Sequence, residues 1–313
     1  MLRHGHPLLG IVAGLVLGVA GAWGAAGDIT LSVPVGNLEI VLQTCSRFSG
    51  AVCSVVYRGK EHIDTKDHGR LLQSASSFDG YGECYNPTEG GAGRDNWNST
   101  SVLKAAHAGS NNIWTLADMA FWLRPSQPYP SGCGVRRDFT RAVNAVAVSG
   151  HLLEKRVTVG LPGFPNVIEH RVTYYVPTRF SHAVFEASTG YMPRDFALAL
   201  YFDPASGAES DPGDRQGDQA LPVILATADR QYAMGVYSPD LPQNGLGYGR
   251  FTFPDVVKWN CVFRENNVGP GAYSYRCLVV LGSVAEVQDT LRSLHQKRQN
   301  PPEENPGSRN RQD

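Results

Sequence analysis

The sequence predicts an all-β protein, a large antiparallel β-sandwich with one C-terminal helix. Short runs of β-branched and aromatic residues recur along the chain, and glycine, proline or asparagine bounds each run. The chain holds 34 glycines and 20 prolines, which suits many tight turns. Before the C-terminal segment, no stretch has a sustained helical period. So many strands joined by turns fit a sandwich.

Residues 1–26 are expected to be a secretory signal peptide. Arg3 precedes an apolar run from Leu8 to about Ala20, and small residues follow. This run is shorter than the ~20 residues that span a bilayer. An uncleaved N-terminal anchor is the alternative. We therefore expect a secreted or periplasmic protein with no stable membrane span after signal cleavage.

A single β-sandwich domain is expected to fill residues 27–295, because no linker-like segment divides the middle of the chain. Its last element should be a helix, in which Ser283 is the N-cap and Glu286 completes a capping box. The apolar face of this helix consists of Val284, Val287, Leu291 and Leu294. Residues 296–313 lack apolar side chains and are expected to form a disordered tail.

The six cysteines indicate disulfide bonds, because an even number in an exported chain favours pairing. The sequence leaves the connectivity open. The favoured pairs are Cys45 with Cys53 and Cys261 with Cys277, which flank predicted turns, and Cys84 with Cys133. Metal ligation is the alternative, but no CxxC spacing supports it. Oxygen-ligated Ca²⁺ among the acidic residues also stays open, without EF-hand spacing. We expect no cofactor.

The charges argue against a nucleic-acid partner. The chain has 28 Lys plus Arg and 29 Asp plus Glu, and the basic residues are dispersed. Binding to phosphate backbones needs clustered positive charge. No nucleic acid is therefore expected among the partners.

The densest set of polar residues lies between residues 59 and 91, on glycine turns that follow a predicted hairpin. Polar side chains of both charge signs, held on loops at the rim of a rigid sheet, are typical of a binding site. A purely structural polar network is the alternative. The candidates in this segment are Asp67, His68, Arg70, Gln73, Asp79, Glu83, Asn86 and Glu89.

Asp67, His68 and Arg70 surround a glycine in this segment. A neighbouring carboxylate orients an imidazole and raises its pKa, and a guanidinium offers a planar fork to a carboxylate or to hydroxyls. If the backbone is extended, His68 and Arg70 share one face. The alternative is a turn in which Asp67 pairs with Arg70.

Several carboxylates are candidates for acid–base chemistry. Cleavage of a glycosidic bond uses two carboxyl groups about 5 to 10 Å apart, and the sequence does not choose the pair. A structural role for Glu83 in capping backbone amides is the alternative. Tyr191 follows Glu186 in a turn and is either a proton donor or a packing residue. The candidate catalytic residues are His68, Glu83, Glu186 and Tyr191.

The run VVKWNCVFR predicts a strand with two different faces. Lys258, Asn260 and Val262 share one face, and Trp259, Cys261 and Phe263 share the other. A strand interior with Lys and Asn on one side faces either solvent or a cleft. The candidate substrate-binding residues are Asp67, Arg70, Gln73, Asp79, Asn86, Glu89, Lys258, Trp259 and Asn260.

The passage from Phe48 to Ser74, with a strand, a Gly-Lys-Glu turn and the DHGR segment, resembles the opening hairpin of the galactose mutarotase-like superfamily. The later runs VIEHRVTYYVP and CLVVLGSVAEV are compatible with its β-supersandwich. This resemblance of layout implies carbohydrate binding in a concave sheet face, in a group that includes epimerases, hydrolase domains and lyase domains. The mutarotase pattern of a His-Pro-type loop with a distant Glu is not reproduced.

These observations predict a secreted carbohydrate-active protein that acts on a poly- or oligosaccharide by hydrolase or lyase chemistry, with an epimerase less well supported. Arg70 and Lys258 favour an acidic sugar, because neutralising a carboxylate eases removal of the adjacent proton. The alternatives are a cell-envelope structural module and a non-catalytic carbohydrate-binding module with exposed tryptophans. The candidate platforms for the latter are Trp97, Trp114, Trp122 and Trp259.

Overall fold

The structure is a computed structural model that describes residues 27–93 and 98–299. The predicted signal peptide, Trp97 and residues 300–313 lie outside the described residues. The strands are β1 (Thr30–Val35), β2 (Leu38–Cys45), β3 (Ala51–Tyr57), β4 (Lys60–Glu61), β5 (Leu72–Phe78), β6 (Pro87–Thr88), β7 (Val102–Ala108), β8 (Asn112–Phe121), β9 (Val148–Leu161), β10 (Phe164–Val176), β11 (Phe180–Pro193), β12 (Leu198–Phe202), β13 (Glu209–Ser210), β14 (Gly217–Gln219), β15 (Val223–Ala226), β16 (Ala233–Tyr237), β17 (Tyr248–Thr252), β18 (Val256–Val268) and β19 (Gly271–Gly282), and they are followed by helix α1 (Val284–Gln299).

The strands form two layers of antiparallel sheet. The front layer contains β17, β18, β11 and β5, side by side in that order. The back layer runs β8, β9, β10, β19, β16, β15 and β12. The short strand β6 pairs with β5 in front and with β8 behind, so it joins the two layers. The predicted antiparallel sandwich is confirmed.

The hydrophobic core lies between the two layers. Trp259 of β18 is fully buried there and directs its indole nitrogen at the sulfur of Met234 in β16, 3.3 Å away. Tyr174 of β10 crosses the core and donates its hydroxyl to the carbonyl oxygens of Ala75 and Glu186, at 3.1 and 2.8 Å. The strict alternation of β18 therefore sends one row of side chains into the core and the other row to the outer face of the front layer.

Helix α1 covers the outer face of the back layer, and its predicted apolar face is buried at Val284, Val287, Leu291 and Leu294. The predicted capping box is present: the Ser283 amide donates to the Glu286 carboxylate at 2.7 Å, and the Glu286 amide donates back to the Ser283 hydroxyl at 3.3 Å. The helix continues to Gln299, so residues 296–299 belong to it and not to the tail that the composition predicted. Lys and Arg in this last turn suit the negative end of the helix dipole.

All three favoured disulfide pairs are present: Cys45–Cys53, Cys84–Cys133 and Cys261–Cys277. The third pair connects β18 in the front layer with β19 in the back layer, through the core. Within residues 27–93 and 98–299, no helix has both the length and the apolarity to cross a membrane.

Candidate active site

A cavity of about 470 Å³ opens on the outer face of the front layer, and we call it the candidate cavity. This volume is within the range of about 300–1,000 Å³ that is usual for small-molecule sites. Strands β5, β11 and β18 form its floor, and loops from four other parts of the chain form its walls. Its lining is Asp67, Gly69, Arg70, Gln73, Ala75, Glu83, Asn86, Thr88, Trp122, Tyr129, Glu186, Thr189, Tyr191, Phe253, Pro254, Asp255, Val256 and Lys258.

A β-bulge in β11 brings the residues of the floor to one face. Glu186 pairs with Val262 of β18, but Ser188 pairs with Cys261, so Ala187 is an extra residue on β11. The pairing of β11 with β5 shifts at the same place. In regular alternation, Glu186 and Tyr191 would point to opposite faces, because they are an odd number of positions apart. The bulge returns Glu186 and Tyr191 to the same face, and both side chains line the cavity.

The walls of the cavity are anchored by the Cys84–Cys133 disulfide. Cys84 lies in a 3₁₀ turn, Gly82–Tyr85, which carries Glu83, and both cysteines are buried in a small apolar cluster. The chain that leaves β8 is also attached to this wall, because the Trp122 amide donates to the Asn86 carbonyl at 2.8 Å. Gly69 allows the Trp122 ring to approach, since a β-carbon there would meet the ring at 2.5 Å. The polar segment of the sequence is thus held against the sheet.

The floor of the cavity holds an ion pair. The Lys258 ammonium is 3.1 Å from the Glu186 carboxylate, and the two side chains are 13% and 22% exposed. Burial alone would lower the pKa of Lys258, but the charges of Glu186, Tyr191 and Glu83 outweigh it and raise the pKa above its ordinary value. The Tyr191 ring lies 5.1 Å from the ammonium, within cation–π range. Lys258 therefore stays charged and is the ion-pair partner of Glu186.

Glu83 is the second carboxyl group of the cavity, and its environment differs from that of Glu186. Its hydrogen-bond donor is an amide: Asn86 donates to the Glu83 carboxylate at 3.2 Å. Burial raises the pKa of Glu83, and the charge of Glu186 adds to the rise, whereas Lys258 partly opposes it. Glu83 thus keeps its proton to a higher pH than an ordinary glutamic acid. Burial likewise raises the pKa of the Tyr191 hydroxyl.

Arg70, at the rim of the cavity, is surrounded by carboxylates. Its guanidinium is 2.7 Å from Asp255, 3.2 Å from Asp67 and 3.6 Å from Asp64. Asp255 comes from the turn between β17 and β18, so this cluster fastens the DHGR segment to the front layer. The positive charge of Arg70 is already neutralised within the protein.

Aromatic side chains line the cavity next to the acids. Trp122, Tyr129, Tyr191 and Phe253 all contribute to its surface, and Phe253 is 42% exposed. Flat apolar rings of this kind stack on the apolar faces of sugar rings. The sequence analysis missed Tyr129, Phe253 and Asp255. Their positions in turns between strands give no periodic signal that would have identified them.

Two polar atoms on the lining have unused hydrogen-bonding capacity. Among the described residues, neither the Asn86 side-chain oxygen nor the Thr189 hydroxyl has a hydrogen-bond partner, although both atoms are buried. Asn86 is 8% exposed and Thr189 is 1% exposed. An unsatisfied buried polar group is costly, so atoms of this kind on a cavity wall indicate a ligand or an ordered water.

The cavity brings together residues that the sequence analysis chose from distant parts of the chain. The structure brings Arg70 and Lys258 to the same hollow, although 188 positions separate them in the numbering. The predicted site residues that line the cavity are Asp67, Arg70, Gln73, Glu83, Asn86, Glu186, Tyr191 and Lys258.

His68 does not line the candidate cavity. The expectation of an extended DHGR segment is wrong, because the Arg70 amide donates to the Asp67 carbonyl at 3.3 Å and closes a turn. Arg70 then faces the candidate cavity, whereas His68 packs on the far side of Trp122, with ring centroids 5.1 Å apart. Its ring nitrogen Nδ1 contacts the Gly91 carbonyl at 2.5 Å, and burial lowers its pKa.

Two acidic candidates have structural positions. The Asp79 carboxylate accepts the backbone amides of Ser181 and His182, at 2.7 and 3.2 Å, and so connects the end of β5 to the start of β11. Glu89 is fully buried in the core, where its carboxylate lies 2.6 Å from the Lys155 ammonium and also accepts the Ser74 amide at 3.1 Å. Neither residue lines the cavity.

Trp259 and Asn260 also lie outside the cavity lining. Trp259 belongs to the core row of β18, and its ring fills the space beside Gly190, where a β-carbon would meet it at 2.5 Å. It is therefore neither a substrate contact nor an exposed platform. Asn260 is on the same face as Lys258 but is 3% exposed, between Thr189 of β11 and Gly249 of β17.

Several solved structures are similar to this chain, at 10% sequence identity or less and with TM-scores of 0.36 to 0.45. A galactose mutarotase related enzyme from Lactobacillus acidophilus has a TM-score of 0.45 and 10% identity, over 83% of this chain and 99% of its own. An α-galactosidase from Lactobacillus brevis has a TM-score of 0.45 and 7% identity, over 82% of this chain and 40% of its own.

A heparan sulfate lyase from Pedobacter heparinus has a TM-score of 0.42 and 9% identity, over 82% of this chain and 35% of its own. No protein-family model matches the sequence, and no curated protein matches it either.

Proposed function

We propose that the protein is a carbohydrate-active enzyme that hydrolyses a glycosidic bond in the candidate cavity, with Glu83 as the proton donor and Glu186 as the carboxylate partner. The observation that carries this proposal is the contrast between the two glutamates. Glu186 lies 3.1 Å from the Lys258 ammonium, whereas Glu83 accepts a hydrogen bond from the neutral Asn86 amide, and burial together with the Glu186 charge raises the pKa of Glu83. Acid–base cleavage of a glycoside uses two carboxyl groups whose environments differ in this way.

In this mechanism, Glu83 gives its proton to the glycosidic oxygen as the bond to the anomeric carbon breaks. The Glu186 carboxylate stabilises the positive charge that develops on the sugar ring. It then either takes a proton from the water that attacks the anomeric carbon or bonds to that carbon itself. In the second case, a water that gives its proton to the Glu83 carboxylate attacks the anomeric carbon and displaces Glu186. Tyr191 keeps its proton and can donate a hydrogen bond to a sugar hydroxyl. Trp122 and Phe253 supply stacking surfaces.

The test is a turnover assay with neutral and uronic-acid polysaccharides, in which new reducing ends report hydrolysis and unsaturated products report lysis. Glu83→Gln and Glu186→Gln should each lower turnover by about a hundredfold or more. Glu265→Gln, in the same strand as Lys258 but outside the cavity lining, is the matched control and should keep full activity. Full activity in both cavity variants would remove these residues from the mechanism.

A second candidate function is sugar binding without turnover, which the aromatic walls of the cavity favour. It predicts that sugars bind, that Phe253→Ala weakens binding, and that no product forms with any substrate of the panel. We also propose that the protein works outside the cytoplasm, since three disulfides suit an oxidising compartment. Periplasmic or secreted material, separated from cytosol and probed with antibody, tests this.

A further inference from the structure

The charges around the candidate cavity are unequal in number. The described lining holds two cationic side chains, Arg70 and Lys258, against four carboxyl groups, Asp67, Glu83, Glu186 and Asp255. Both cations already have carboxylate partners within the protein, at 2.7 and 3.1 Å. Asp64 adds a further negative charge behind Arg70, and Lys66 adds a positive charge 3.7 Å from Asp255. With Glu83 counted as the protonated acid, four carboxylates still face three cations, so an acidic ligand would enter a hollow with a surplus of negative charge.

The hydrogen-bonding groups have the same bias. The Asn86 amide uses its nitrogen on Glu83, so its unpartnered oxygen remains as an acceptor for a ligand. The carboxylates of the lining are acceptors too. Apart from the two paired cations, the donors of the described lining include the Thr189 hydroxyl, which is buried and unpartnered, the hydroxyls of Tyr129 and Tyr191, and the Trp122 indole N–H, against the oxygens of four carboxyl groups. Such a surface is complementary to hydroxyl and ammonium groups, and it opposes carboxylate and sulfate groups, which only accept.

From these two observations, we infer that the candidate cavity binds a sugar unit without an acidic group, and that an amine on that unit strengthens binding. This inference rests on the proposed function and narrows its substrate class. It also reverses the preference for an acidic sugar that Arg70 and Lys258 suggested in the sequence. The reason is that both cations form ion pairs with carboxylates from distant parts of the chain, Arg70 with Asp255 and Lys258 with Glu186. The local sequence does not reveal these pairings.

The experiment compares ligands that differ in charge and little else. Purified protein is titrated in a calorimeter with β-1,4-linked oligosaccharides of glucose, glucosamine and glucuronic acid, and with the matching galactose, galactosamine and galacturonic acid series. In the series that binds, we expect the amine form to bind about threefold to tenfold more tightly than the neutral form, and the acid form to bind more weakly by a similar factor. Added salt should shrink both differences.

A double variant tests whether the acidic rim causes the preference. Asp67→Asn with Asp255→Asn keeps hydrogen-bond acceptors beside Arg70 but removes two negative charges, so the amine preference should fall and uronate binding should rise. Asp289→Asn is the matched control: this carboxylate is 76% exposed on helix α1, outside the cavity lining, and its removal should leave the order of affinities unchanged.

The outcomes separate this inference from the proposed function. If the acid form binds as tightly as the neutral form or more tightly, and Phe253→Ala weakens that binding, the cavity binds sugars but the inferred charge preference is wrong. If no form binds in either series, the proposed function fails and the inference fails with it. If the preference persists in the double variant, the acidic rim is not its cause and the inference is overturned.

Discussion

Glu83 and Glu89 lie in the same segment of the chain and are both shielded from solvent, but their surroundings differ. Glu89 lies in the core, where Lys155 is 2.6 Å from its carboxylate and both side chains are 1% exposed. Glu83 lies on the wall of the candidate cavity, and its hydrogen-bond donor is the Asn86 amide. The first glutamate is matched by an opposite charge of its own. Glu83 is influenced by the charge of Lys258, but that lysine is already paired with Glu186.

This difference separates a carboxylate that is enclosed in the core from one that lines a cavity. A fully buried ion pair is expensive to break, but it has no access to a ligand. A carboxyl group with a raised pKa on a cavity wall weakens the fold slightly and is available for proton transfer. The two glutamates should therefore respond in opposite directions when the charge is removed.

The largest effect is expected at the core glutamate. Glu89→Gln leaves the Lys155 ammonium buried without a counter-charge, which should lower the free energy of unfolding by about 3–5 kcal/mol. Urea denaturation followed by tryptophan fluorescence measures this loss. Lys155→Met with Glu89→Leu removes both charges and should recover most of the stability. A small loss in the single variant would mean that the pair is not needed to stabilise the core.

The second effect is a loss of folding stability at acidic pH, and it arises in the core rather than in the cavity. Among the described residues, neither ring nitrogen of His151 has a hydrogen-bond partner, and the ring packs against Phe78 and Phe180. Burial lowers the pKa of His151 to about 4, against about 6.5 in an unfolded chain. The unfolded state therefore takes up a proton first, and stability falls as the pH drops from about 6.5 towards 4, by roughly 3 kcal/mol.

Unfolding curves at several pH values check this dependence on His151. His151→Phe keeps an aromatic ring between its neighbours and should flatten the part of the curve between pH 6.5 and 4. Part of the slope should remain, because burial also lowers the pKa of His62 to about 4 and that of His170 to about 3. An unchanged slope in the variant would contradict the assignment to His151.

The third effect is the opposite response at the cavity wall. The raised pKa of Glu83 means that it stabilises the fold only while protonated, and this contribution is lost as the pH rises from its ordinary value of 4.5 through the folded-state pKa. Glu83→Gln should therefore leave stability at pH 7 unchanged or raise it by about 1 kcal/mol, even as turnover is lost. A thermal melt measures it, and a marked destabilisation would assign Glu83 a structural role.

The smallest effect is expected at the exposed aromatic wall. Phe253→Ala should weaken sugar binding by about threefold to tenfold through the loss of stacking, with little change in stability. Calorimetric titration with whichever sugar binds the wild-type protein measures it. Tyr175→Ala, at a similarly exposed aromatic residue on β10, is the matched control. Equal affinity in both variants would exclude Phe253 as a platform.

The fold was largely predictable, because strand periodicity, the capping box and the turns between cysteines are local signals. Alternation in β18 correctly predicted that Lys258 and Trp259 lie on opposite faces of the strand. It follows that only one of them can line a cavity on one face. The site was predictable as a cluster of residue types. The roles of Glu89 and His68 were not, because they depend on Lys155 and on a turn at Asp67, which the local sequence does not reveal.

The extra residue at Ala187 has a consequence for tracing the cavity through related sequences. It shifts the phase of β11, so that every residue after it changes sides relative to Glu186. A relative that lacks this single residue would keep its glutamate and tyrosine in the alignment, yet one of the two would point into packed hydrophobic material. A one-residue gap in this strand would therefore distinguish relatives that keep both side chains in the cavity from relatives that keep only the fold.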